Sequence, residues 1–117
     1  MSAEQVCLLI KRGDSWSRIL CFEYHPSHAP IDLTGWEIRF TVKKNISDLD
    51  SAAVISKIIN TFSNPIGGEA ELALTPTDTA QEIRSYVFDI QVKTNNNEIY
   101  TVLDGLLTIT QDVTQNT

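Results

Sequence analysis

Three short stretches and a separated pair of cysteines hold the residues whose types and spacing suit chemistry. His25-Pro26-Ser27-His28 contains both histidines of the chain, close enough for two imidazoles to share a metal ion. Such a site needs a further ligand and a stiff backbone, and Pro26 and Pro30 mark this stretch as a loop. Exposed loop histidines, and no metal, are therefore expected. Arg12-Gly13-Asp14 spells the tripeptide of adhesive ligands, yet Gly-Asp between two strand-like runs is also what a two-residue hairpin turn requires. The turn reading suffices. Asp48 and Asp50 suggest calcium, but the glycine and closing glutamate of an EF-hand loop are missing, so a solvated loop is expected. Cys7 and Cys21 are too few for a disulfide scaffold and are not spaced for zinc. If residues 13–14 turn a hairpin, Cys7 falls opposite residue 20 or 21. A cross-strand bridge then stands beside the plainer reading of two small buried thiols.

Nothing else supplies a reaction centre. There is no G-x-S-x-G elbow, "NPIGGEAE" does not follow a nucleotide-binding spacing, and no carboxylate, base and nucleophile are visibly gathered. "NIS" at 45–47 matches a glycosylation sequon only formally. A non-enzymatic protein with no catalytic residue and no cofactor is expected.

The elements around these residues are strands. In "GWEIRFTVKK", Trp36, Ile38, Phe40 and Val42 alternate with Glu37, Arg39, Thr41 and Lys43, the period of a half-buried strand. "SYVFDIQVKT" repeats it, with Tyr86, Phe88, Ile90 and Val92 inward and Asp89, Gln91 and Lys93 outward. Asn95-Asn96-Asn97 then gives a tight turn into "EIYTVLDGLLTIT", which Gly105 interrupts with a bulge or kink. "QVCLLIKR" and "SWSRILCFEY" flank Gly13-Asp14; "AVISKII" and "EAELALT" are joined by "NTFSNPIGG" as a loop or wide hairpin. Helix is limited to a short turn in "TPTDTAQEI", capped by Asp78 or Thr77 and carrying Thr79 to Glu82, with a brief turn in "ISDLDSA" as the other candidate. Tyr86, just before a late strand, is placed to tie its hydroxyl to the preceding crossover.

About seven strands with frequent turn signals predict an all-β, immunoglobulin-like antiparallel β-sandwich with at most one short helical turn. Its seam would bury Trp36, Ile38, Phe40, Leu72, Leu74, Tyr86, Phe88, Ile90, Leu107 and Ile109. Residues 1–117 form one domain, with loose termini at 1–4 and 113–117.

Charge and hydropathy set further bounds. Nine Lys and Arg against fifteen Asp and Glu give a net charge of −6. Scattered cations on an acidic chain exclude nucleic acid as an expected partner. The N-terminal apolar run is short and lacks the flanks of a signal peptide, and no stretch approaches a membrane span. A protein made and folded in the cytoplasm, without membrane insertion, is expected.

The order "IKRGDSW", "PIDLTGWEIRFTVKK", "GGEAELALTPTDTAQ" and "YVFDIQVKTNNNEIYTVLDGLLTITQDVT" is more specific than any one piece. From about residue 6 to residue 114 it resembles the immunoglobulin-like domain at the N-terminus of phage baseplate upper proteins and in short phage and prophage proteins. The resemblance rests on Asp32-Leu33-Thr34-Gly35, Asp78-Thr79-Ala80, Tyr86 with Asp89, and Gly105 with Asp112-Val113-Thr114. It implies a virion part, made in the host cytoplasm, that docks to tail, baseplate, fibre or capsid proteins and can form a homo-oligomer. Baseplate upper proteins continue into fibre-holding regions where this sequence stops at Thr117, so a partner would be gripped by the sandwich or its termini.

Candidate contact residues are Glu37, Arg39, Thr41 and Lys43 on the outer face of one strand, with Trp16 and Tyr100 as exposed aromatics. Those two aromatics also define the competing expectation, a carbohydrate- or receptor-binding module. A small modulator of a host protein is the third.

Overall fold

The computed structural model describes residues 4–24, 26–111 and 113. Alternation decides the elements. β3 (Glu37–Lys43) and β6 (Ser85–Lys93) each turn every second residue inward, and Ile38, Phe40, Val42 and Val92 have no exposed surface. β5 (Glu69–Leu74) does the same with Ala70, Leu72 and Leu74. Burying each such Leu, Ile or Phe stabilises the fold by roughly 1.5–3 kcal/mol.

The remaining strands are β1 (Glu4–Lys11), β2 (Trp16–Cys21), β4 (Ile55–Ile59) and β7 (Ile99–Thr110). They form two sheets: five strands ordered β1-β7-β6-β3-β4, and two strands, β2-β5. The described residues form a β-sandwich of seven strands. Among the described residues, helix is confined to a 3-10 turn at Asp50–Ala52 and to α1 (Pro76–Thr79). All ten residues expected in the seam pack there, Trp36 only half-buried and the other nine fully. Phe40 and Phe88 meet at its centre with ring centroids 5.8 Å apart.

Three expectations about connections are corrected. Residues 13–14 do not turn a hairpin: β1 pairs in parallel with β7, the one pair among the described strands that departs from antiparallel, and β2 pairs with β5 in the other sheet. In the register of a two-residue turn, Val6, Leu8 and Ile10 would share a face with Ser17, Ile19 and Cys21, splitting the apolar set between two faces. Separate sheets let both strands turn their apolar sides to one seam. Gly13 still has φ +83, and the crossing is held by α1. The Thr79 carbonyl accepts from Gly13 N–H (3.4 Å), and the Thr79 hydroxyl donates to Asp14 O (2.8 Å). Cys7 consequently lies opposite Leu106 and Cys21 opposite Glu69, both as exposed free thiols, so neither the bridge nor burial is found.

β4 and β5 also lie in different sheets, so residues 60–68 are a crossover rather than a hairpin. Finally, α1 starts earlier than expected. Thr75 caps it by accepting from Asp78 N–H (3.1 Å), Asp78 returns a bond to Thr75 N–H (2.8 Å), and Pro76 occupies the first turn. This reciprocal box satisfies two end donors where Asp78 or Thr77 alone would satisfy one.

The Asn95–Asn97 turn is present, with Asn97 at φ +64 and Thr94 N–H donating to Glu98 O. The bulge expected at Gly105 instead falls at Val102, the extra residue between the Ile90/Leu103 and Gln91/Thr101 pairs. Gly105 serves a different need: a Cβ there would collide with the Val6 carbonyl of β1. Tyr86 O–H donates to Glu82 O at 2.6 Å and so ties β6 to the crossover before it.

Candidate functional site

The outer face of the five-stranded sheet holds the most structured polar site. Register brings Thr41, Asp89 and Asp104 into one row across β3, β6 and β7; Arg39, Gln91 and Thr101 form the next row, and Lys43, Val87 and Leu106 the row beyond. The β3–β4 connection folds back over this face. Lys43 Nζ reaches Asp50 Oδ1 (2.7 Å) and donates to Asp48 O (2.9 Å), while Asp48 Oδ2 accepts from Asn45 N–H (3.1 Å). The pair suggested for calcium thus grips a lysine and its own loop. Between loop and sheet lies a groove of about 220 Å³ with Ile46, 86% exposed, on its lip.

Charge in the groove is unevenly satisfied. Arg39 Nε pairs with Glu37 Oε2 at 2.6 Å, and Lys43 is held by Asp50. Gln91 donates to Thr101 Oγ1 (3.3 Å). Asp89 and Asp104 stand directly opposite each other, and among the described residues neither forms an ion pair. Asp104 Oδ1 is buried without a hydrogen-bond donor. Burial pushes the Asp89 carboxyl above the usual range; Lys43 opposes this, while Asp50 and Asp104 add to it. Two facing carboxylates in such a place attract a cationic group. The arrangement can therefore bind an ammonium or guanidinium group supplied from outside.

Of the six residues picked from sequence, the fold gathers Arg39, Thr41 and Lys43 along this groove, with Glu37 beside it. It does not bring Trp16 or Tyr100 there. Trp16 opens β2, half-buried against the core, with the Arg18 guanidinium 5.0 Å above its ring. Tyr100 lies opposite Val92 at the other end of the sandwich, half-buried, its hydroxyl donating to Glu98 Oε2 (2.7 Å). That hydrogen bond, then the charge of Glu98, raises the Tyr100 pKa. Both were expected as exposed platforms, and both belong instead to the inward alternation of their strands.

Sequence reading missed Asp104 as a partner of Asp89. Alternation from Phe88 already turned Asp89 outward, but the bulge at Val102 shifts the register of β7 and hides which residue lies across from it. His28, at φ +61, has Nδ1 3.0 Å from Glu23 Oε2 in the β2–β3 loop; His25 lies outside the described residues, as do Asp112 and Thr114. Among the described residues no three His, Cys, Asp or Glu side chains group as metal ligands, and no helix is long and apolar enough to cross a membrane. No protein-family model matches the sequence, and no curated protein is significantly similar to it.

Proposed function

We propose that this chain is a non-enzymatic phage or prophage virion component, an adaptor that docks to tail, baseplate, fibre or head proteins through the outer face of its five-stranded sheet. The order of sequence features that resembles the baseplate upper protein domain supports this reading. So does the strand order, with β7, β6 and β3 central in one sheet and β2-β5 opposite, together with the Tyr86 tie to its crossover, as in immunoglobulin-like sandwiches.

The observation that carries it is the Asp89–Asp104 pair, which has no cation of its own in a groove whose other charges are internally matched. An arginine or lysine of a neighbouring virion protein would complete it, and Ile46 and Leu49 on the covering loop, 86% and 75% exposed, offer apolar contact beside it. Virion rings multiply such modest contacts by avidity. Co-expression with the products of neighbouring genes, followed by sedimentation, is expected to yield a complex at micromolar concentration or tighter. Asp104→Asn should weaken it by about tenfold or more, since removing one charge of a buried interfacial pair costs a few kcal/mol. A strictly monomeric protein that binds no virion component overturns the proposal.

A further inference from the structure

The end of the sandwich that carries the β2–β3, β4–β5 and β6–β7 loops presents a second recognition surface, remote from the Asp89–Asp104 row. Its floor is rigid. Leu33 N–H donates to Pro65 O (2.9 Å) and Phe22 N–H to Gly68 O (2.8 Å), which pins the first loop to the second. Gly68 has φ +71, and a Cβ there would stand 2.5 Å from the Phe22 carbonyl oxygen. Gly35, φ +81, admits the third loop, since its own Cβ would lie 3.2 Å from Asn95 Cβ.

Trp36 forms part of this floor, half-buried against the core, with Phe22 edge-on at 6.5 Å. Two adjoining clefts, of about 450 Å³ and about 510 Å³, share Trp36, Thr94 and Asn95 in their linings. Above them the carboxamides of Asn95, Asn96 and Asn97 are exposed and make no hydrogen bond to any described residue. The backbone of that loop is meanwhile fixed by Thr94, whose Oγ1 accepts from Asn96 and Glu98 N–H. Tyr24, 58% exposed, borders the larger cleft, as do Asp32 and Glu98.

We infer that these adjoining clefts bind a neutral oligosaccharide. Vicinal hydroxyls each donate and accept, and an unengaged carboxamide offers both functions in one plane. Tyr24, more than half exposed, gives a flat apolar surface for the C–H face of a pyranose ring while keeping a polar edge, with the rim of Trp36 beside it. Rigid aromatics beside Asn side chains on loops are also the composition of adaptable recognition surfaces. Asp32 and Glu98, which line the larger cleft, disfavour acidic sugars, phosphates and sulfates there, while in the smaller cleft Glu37 is paired with Arg39 and stands opposite Lys93.

The test uses the isolated full chain, so it does not depend on the docking reading. Nitrogen-labelled protein is titrated with a panel of short neutral oligosaccharides, and with sialylated and sulfated chains as the acidic arm. At least one neutral saccharide is expected to shift the Trp36 indole and the Asn95–Asn97 side-chain resonances. Asn96→Ala, at an exposed position that leaves the fold intact, should weaken that binding several-fold to tenfold, as the loss of a hydrogen bond does. Asp104→Asn should leave it unchanged. A panel blank across every neutral saccharide, binding confined to acidic chains, or protection of these loops only by a virion protein would each overturn the assignment.

Discussion

At Gly105 the backbones of β1 and β7 meet with no room for a side chain, because the Val6 carbonyl fills the space a Cβ would take. The residue also sits at φ +152, a conformation open to glycine and strained for others. Gly105→Ala is therefore expected to cost about 3 kcal/mol or more, through overpacking and strain together. Urea denaturation reads this as a lowered midpoint with an unchanged slope; a midpoint equal to that of the parent would refute the close approach. Asp89 makes a different case at the same scale. Burial, followed by the charges around it, raises its pKa in the folded state, so the native protein holds that proton more tightly than the unfolded chain does. Stability should then fall as pH rises from the unfolded carboxylate range, about 3.9, through the raised value. Asp89→Asn should consequently stabilise the isolated protein at neutral pH and lose that advantage in acid. Denaturation of the two proteins across pH checks the sign, and a less stable variant at neutral pH would contradict it.

Among the elements, α1 has one turn and no stability of its own, yet it joins both sheets. Its N-terminal box is closed by Asp78, which also takes Lys57 of β4 at 2.7 Å, and its last residue, Thr79, is fully buried and holds the β1–β2 crossing. Burial alone would raise the Asp78 pKa; hydrogen bonds from Lys57 and from Thr75 outweigh it and hold the carboxyl below its ordinary value. A depressed carboxylate stabilises above the unfolded range and loses that contribution as pH falls through the folded value. Asp78→Ala should thus cost about 1–2 kcal/mol at neutral pH, combining a lost cap with a lost ion pair. The deficit should shrink in acid, the reverse of the Asp89→Asn pattern. Two melting curves, at neutral and at acid pH, separate these outcomes. The connections, by contrast, were the least legible elements. Gly13-Asp14 signals a reversal equally well inside one sheet or between two, and the residue that settles it, Thr79, is 65 positions away in sequence. "NTFSNPIGG" poses the same ambiguity, resolved by Leu33 and Phe22 bonding to Pro65 and Gly68.

For the whole molecule, the two recognition surfaces are built by different means. The sheet-face groove arises from cross-strand register under a folded-back loop, the loop-end clefts from three connections pinned to one another. Variants at Asp104 and at Asn96 should therefore act independently, since the two residues share no hydrogen-bond or ion-pair partner, the Glu37–Arg39 pair being the contact that runs between the two regions. The alternation in the sequence determined by itself which residues form the dry seam, because a strand turns every second side chain to one face whatever its neighbours are. It thereby placed Arg39, Thr41 and Lys43 outward. Only the tertiary structure decided that β1 runs parallel to β7, that Asp104 faces Asp89, and that Trp36 rather than Trp16 stands among free amides. Each of those depends on register and on contacts between distant segments, which no local pattern encodes.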